Sequence, residues 1–304
     1  MNRIYFLLVF VLGTINFAIG QVVVKSPYLK GTIYRYEKVK CRFLEPRNID
    51  VWVPANFDSS GKTRYSVLYM HDGQNLFLPG NSFGGMEWGI DETMDSLLRL
   101  GLIKNTIVVG IWNSPKRFIE YNPTDAFLKL DSLTKQKIMQ ERGGSSLANQ
   151  YLAFVFEDLK PMIDSVFPTK PEMKNTFMMG SSMGGLISLY ALCKYSDQLK
   201  GVGCLSTHWP LSLKENNKVV AKAYADYFAT RLPNPKQHKL YFDRGTETLD
   251  AWYEQHQLYM DELCRESGYE TPKDFMTLVF KGDPHNEVAW RRRAAIPLLF
   301  LLQP

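Results

Sequence analysis

Cysteine is scarce in this chain of 304 residues: Cys41, Cys193, Cys204 and Cys264 are the only four. None stands in a C-x-x-C pair or at a Cys/His spacing that would build a zinc site, so no metal is expected. Cys193 and Cys204 fall in apolar segments, where free buried thiols are common, and pairing stays open. Net charge is small as well, with 36 basic against 31 acidic residues. That mild basicity argues against a nucleic-acid partner. Repeats, low-complexity tracts and linkers are missing, and 45% hydrophobic with 22% charged residues is ordinary for one large folded domain.

Long apolar runs are missing too, except at the start. MNRIYFLLVFVLGTINFAIGQ holds Arg3, an apolar run from Ile4 to Phe17, and the small-residue pattern Ala18-Ile19-Gly20. This reads as a secretory signal peptide over residues 1–20, too short for a stable membrane anchor. A cut after Gly20 leaves Gln21 first and no Cys to carry a lipid. Residues 21–304 then form a single domain of charge +4, with 35 basic and 31 acidic side chains, secreted or periplasmic.

What is present is an alternation. Apolar, β-rich runs occur at 49–53, 65–70, 106–112, 175–179, 201–206, 239–242 and 275–280, preceded by the strand-like "KGTIYRYEKVK". Helical patterns occupy 88–100, 151–167, 183–195, 249–267 and 287–302. Pro168 closes the second of these helices, and Gly268 is placed to stop the fourth in the left-handed conformation. Eight strands interleaved with helices predict an α/β fold, a mostly parallel sheet with helices on both faces. Residues 118–144 read as a loop. In such sheets ligands bind where the carboxyl ends of the strands converge, so the residues just after each strand matter most.

Those residues are polar and titratable. "GSSMG", Gly180 to Gly184, fits G-x-S-x-G between an apolar strand and a helix, which is where a nucleophile elbow forms. Ser182 is then the nucleophile, Ser181 its spacer, and the Met183 amide an oxyanion donor at the helix start. A serine needs a base. His285 follows the last strand and comes after the serine and the acid in chain order, whereas His238 precedes a strand and His256 lies within a helix. The acid follows the strand ending "YFDRG": Asp250 is preferred, then Glu247, with Asp243 also qualifying. A second oxyanion donor is expected from the amide of Gln74 in "YMHDGQNLF", where Gly73 permits a sharp turn. His71 and Asp72 are read as scaffolding. His208 and Trp209 are expected to touch substrate; Trp88, Trp112 and Tyr121 could be core or pocket wall. The run Arg291-Arg292-Arg293 reads as a solvated helix face.

Five segments, "VLYMHDGQNLF", "EWGIDETMDSL", "GSSMGGLISLYAL", "YFDRGTETLDAWYEQ" and "PHNEVAWRRR", resemble the Putative esterase family of α/β-hydrolases. That family holds feruloyl, acetyl xylan and enterochelin esterases, S-formylglutathione hydrolases and mycolyltransferases. The resemblance runs from about Ile33 to the C-terminus. It implies an α/β-hydrolase fold and a serine esterase without metal or organic cofactor, with Ser182 as nucleophile and His285 as base. Family members often carry the acid three residues after the glycine equivalent to Gly245, and here that residue is Thr248. Some siderophore esterases of this kind work as a dyad. The substrate expected is a small-molecule or polysaccharide ester bearing an acetyl or feruloyl group. A siderophore ester, acyl transfer on the same residues, and an inactive carbohydrate-binding homologue are the alternatives. Oligomeric state is not legible.

Overall fold

The computed structural model describes residues 20–304; the segment read as a signal peptide lies outside them except for Gly20. Strands and helices follow the expected alternation. The strands are β1 (Gln21–Val24), β2 (Thr32–Val39), β3 (Arg47–Val53), β4 (Ser66–His71), β5 (Thr106–Ile111), β6 (Thr176–Ser181), β7 (Gly201–Leu205), β8 (Lys239–Arg244) and β9 (Phe275–Val279). The helices are α1 (Ile90–Arg99), α2 (Arg117–Glu120), α3 (Thr124–Leu128), α4 (Ser132–Arg142), α5 (Ala148–Ala153), α6 (Lys160–Val166), α7 (Met183–Lys194), α8 (Lys218–Ala229), α9 (Glu254–Glu266), α10 (Glu287–Arg293) and α11 (Ala295–Leu302).

The sheet runs β1-β2-β3-β5-β4-β6-β7-β8-β9. The first four in that order pair antiparallel, and from β5 to β9 every pairing is parallel. The chain leaves β4 towards β5 on one side and later returns to β6 on the other. That reversal lies at β4, and in sheets of this kind ligands settle at the carboxyl end of such a strand.

Alternation along each strand feeds two apolar layers. Val67, Tyr69, Val109 and Met178 face one, with the buried sides of α5 to α9. Leu68, Met70, Val108, Phe177 and Met179 face the other, with α1, α10 and α11. Strands covered on both faces are buried at every position, as β4 and β5 are, and so read as nearly continuous apolar runs.

Four features depart from the sequence expectation. The sheet has nine strands among the described residues, not eight; the addition, β1, is an exposed edge of only four residues. The segment read as a loop, 118–144, folds into parts of α2 to α4. Helix α8 was not expected; Asn217 caps it by accepting from the Val220 amide at 3.0 Å. The helix expected over 151–167 is broken by a π-helical turn at Phe154–Leu159. Pro161 has no amide to return to the preceding turn, and the wider turn takes up the mismatch. Gly268 behaves as expected, at φ 88°. The Gly268 amide donates to Arg265 and the Tyr269 amide to Cys264, the paired bonds of a glycine-terminated helix. All four cysteines are free.

Candidate functional site

Ser182 joins β6 to α7 at φ 58°, ψ −122°, a conformation that costs a non-glycine residue energy and persists only where its surroundings enforce it. Two constraints do so. The Ser182 amide donates to Leu205 O at 2.9 Å, tying the turn to β7. A Cβ on Gly180 would lie 2.9 Å from the Gly184 carbonyl carbon, so the turn closes this tightly only on glycine. Ser182 itself is half-buried. Met183 begins α7, and its amide is one of the donors that a helix start leaves without an internal partner.

The Gln74 turn, Gly73–Asn75, follows β4 directly. Here the reason for Gly73 differs from the expected one. The left-handed residue is Asp72, at φ 56°, and Gly73 is needed because a Cβ there would collide with the backbone of Gly110 on β5.

His285 stands beyond β9. Its Nδ1 lies 2.5 Å from Asp250 Oδ1, its amide donates to Thr248 Oγ1 at 2.8 Å, and its ring sits edge-on to Tyr253 and Trp290. The ring is thus held on three sides. Neither Ser182 Oγ nor His285 Nε2 is engaged by another described side chain, and no hydrogen bond joins the two. Such bonds commonly tighten only around substrate.

Of the three acid candidates, only Asp250 meets His285. It is fully buried, and its other oxygen, Oδ2, accepts from the Gly245 amide at 2.5 Å and from Ser206 Oγ at 2.6 Å. Burial pushes its pKa up, but the bonds from His285, Ser206 and Gly245 outweigh burial and hold it below the ordinary value. Glu247 is exposed. Asp243 is paired with Arg293 at 2.9 Å, and burial raises it to about 6. Thr248, where the resemblance places the acid, instead accepts from the backbone of His285.

Three sequence expectations need correction. Trp209 does not line a pocket: it is fully buried, packs on Phe228 and Phe242, and donates to Gln257. A tryptophan after a strand end can fold inward as readily as outward, and this one completes the apolar layer under α8. The arginine run is not one solvated face either. Successive helical residues point about 100° apart, so Arg292 is exposed, Arg291 turns to Glu87, and Arg293 enters the interior with its side chain 2% exposed. There Arg293 Nη2 donates to Ser206 Oγ at 2.8 Å and to Asp243 at 2.9 Å. The signal available was its spacing: Arg293 follows the buried Ala289 and Trp290 by four and three residues.

His208, expected to touch substrate, is instead fully buried beneath the elbow, because the turn after β7 folds it under Ser182: its amide donates to Ser182 O at 3.2 Å and its Nδ1 is bonded to Tyr253 OH at 2.6 Å. Burial drives its pKa well below 6.5, so it is neutral. His71 is neutral too, pushed down to about 3 by burial, with Nδ1 on Tyr151 OH at 2.7 Å. Asp72, read as scaffolding, accepts two bonds from Arg117 at 2.6 and 2.7 Å and one from Asn113 at 2.6 Å. Among the described residues no cluster of His, Cys, Asp or Glu could hold a metal ion, and no helix is long and apolar enough to cross a membrane.

The chain is similar to proteins of known structure and sequence. A ferulic acid esterase structure matches 90% of this chain and 98% of its own, at a TM-score of 0.62 and 16% identity. An enterochelin esterase from Shigella flexneri matches 88% of this chain and 57% of its own, at a TM-score of 0.61 and 14% identity. At such identities the likeness speaks for the fold, that of the α/β-hydrolases. Among curated sequences, Uncharacterized protein YbbA of Bacillus subtilis (strain 168) is 26% identical over 166 residues, and this chain spans 58% of its length. The family model described as Putative esterase matches residues 42–277, well over half of the chain. The chain therefore belongs to the Putative esterase family, a family of carboxylic ester hydrolases built on the α/β-hydrolase fold.

Proposed function

We propose that the protein is an exported serine esterase in which Ser182, His285 and Asp250 form the catalytic triad. The observation that carries this reading is the 2.5 Å contact of His285 Nδ1 with a fully buried Asp250, beside a serine held in a strained elbow. Asp250 accepts a hydrogen bond from Nδ1–H and fixes the tautomer, leaving Nε2 free as the base. Ser182 Oγ attacks the ester carbonyl as Nε2 takes its proton. The amides of Met183 and Gln74 stabilise the oxyanion of the tetrahedral intermediate. His285 then protonates the leaving alcohol, and water repeats the sequence on the acyl-enzyme.

The substrate class proposed is an acetyl or feruloyl ester of a carbohydrate. Supporting it are the structural likeness to a ferulic acid esterase and the exposed Phe83, whose amide donates to Asn75 Oδ1 at 3.0 Å in the stretch that follows Gln74. An aromatic so placed can stack on a sugar or an aryl acyl group. His208 supports this site from beneath, its backbone bonded to Ser182. A siderophore ester is the second reading; the likeness to an enterochelin esterase favours it. Export rests on the apolar leader of the sequence.

Turnover of p-nitrophenyl acetate and labelling by a fluorophosphonate test the reading. Ser182→Ala and His285→Ala should abolish both, Asp250→Asn should lower kcat by about 10⁴, and Glu247→Ala should leave it unchanged. A wild type that neither turns over nor labels would make the inactive carbohydrate-binding reading the better one. Added sugar acceptors, followed by product analysis, separate hydrolysis from acyl transfer.

A further inference from the structure

The residue most deeply tied into both halves of the site is one that the triad does not use. Arg117 opens α2, and its guanidinium makes a two-pronged pair with Asp72, Nε to Oδ1 at 2.6 Å and Nη2 to Oδ2 at 2.7 Å. The same Nη2 reaches Ser181 O at 3.5 Å. Asp72 and Ser181 each stand two residues before a proposed oxyanion donor, Gln74 and Met183 respectively. One guanidinium therefore holds two separate loops at the same offset from their donor amides.

The surroundings make this tie rigid. Asp72 is left-handed, so its carboxylate and the turn that follows it move together. Asn113, just beyond β5, doubles the hold: its Nδ2 donates to Asp72 Oδ1 at 2.6 Å and its amide to Gln74 Oε1 at 3.1 Å. The helix that carries Arg117 is itself pinned. Glu120, at its far end, takes two bonds from the buried Arg47 at 2.9 and 3.0 Å and one from Ser114 Oγ at 2.8 Å. A planar fork can hold a carboxylate in a fixed orientation, which a lysine ammonium cannot.

We propose that Arg117 is a positioning residue for the oxyanion hole, setting the separation of the Gln74 and Met183 amides through Asp72 and Ser181. This rests on the esterase reading above. The tie acts on the transition state, because the two amides act together only once the oxyanion forms; it leaves the resting ester almost untouched.

The test uses the full chain with Arg117→Ala and Arg117→Lys. In both, kcat for p-nitrophenyl acetate should fall about tenfold to hundredfold, while KM stays within about threefold. Guanidinium chloride at low concentration should restore part of the lost kcat in the alanine variant and none in the lysine variant. Amide exchange across residues 74–76 should accelerate in both. A kcat close to wild type, or a loss confined to KM, overturns the proposal. So does exchange at 74–76 that matches wild type. If the alanine variant does not fold, the lysine variant is read alone, on kcat, KM and exchange. Lack of ester turnover in the wild type itself would instead overturn the esterase reading, which exchange does not address.

Discussion

Ser206 Oγ accepts from Trp290 Nε1 at 3.0 Å and from Arg293 Nη2 at 2.8 Å, so its own proton is left to point at Asp250. A buried serine between two fixed donors cannot rotate that proton away, and the acid of the proposed triad is held ionised by a neighbour with no freedom of direction. Ser206→Ala should remove this donor and leave Trp290 and Arg293 short of an acceptor. The expected cost is about 1–3 kcal/mol of stability, read from urea midpoints, together with a fall in kcat. A variant with wild-type stability and kcat would mean that the hydroxyl is idle. Single residues were legible in the sequence where topology constrained them: Ser182, His285 and Asp250 all follow strands, and strand ends converge. Trp209 and Arg293 were not, because their side chains turn inward by local rotation, which the order of elements does not specify.

Elements were legible where their apolar pattern repeats. Helices α1 and α7 appear close to the expected bounds, whereas α2 and α3 are short, and α2 is held by the Arg47–Glu120 pair, which joins residues far apart in the chain. Strand β1 escaped because four residues are too few for a period. Helix α1 carries a testable feature at its first turn. Asp91 is fully buried, accepts from the Lys30 amide at 2.8 Å, and is raised to about 7, chiefly by burial. A carboxyl whose pKa rises on folding contributes stability fully below its unfolded value, about 4, and loses that contribution as pH rises through about 7. Asp91→Asn keeps an acceptor for Lys30 without the charge. It should therefore be more stable than wild type at about pH 8, with the difference shrinking towards about pH 5. Parallel pH curves for the two proteins would contradict this.

At the scale of the whole molecule, the buried histidines set a trend of opposite sign. His71, His208, His238 and His256 all have pKa values lowered by burial from 6.5. A base whose pKa falls on folding contributes stability above its unfolded value and loses it as pH drops towards the folded one. Asp91, raised by burial, opposes this trend, so in Asp91→Asn thermal midpoints should decline more steeply than in wild type as pH is lowered from about 6.5 towards 4, well before the depressed carboxylates Asp72 and Asp250 titrate. A flat profile over that range would show these histidines protonating without unfolding. The fold itself was the most legible level, since a parallel sheet buried on both faces writes its strands as unbroken apolar runs. The closing order of the site follows from the same topology. A ribosome releases the Gln74 turn and the elbow early, then Asp250, and later His285 and Arg293, which meet Asp250 and Asp243 respectively. A chain still short of α10 thus carries the proposed nucleophile without Arg293 to pair with Asp243, and the proposed site is assembled only once His285 and α10 have been made.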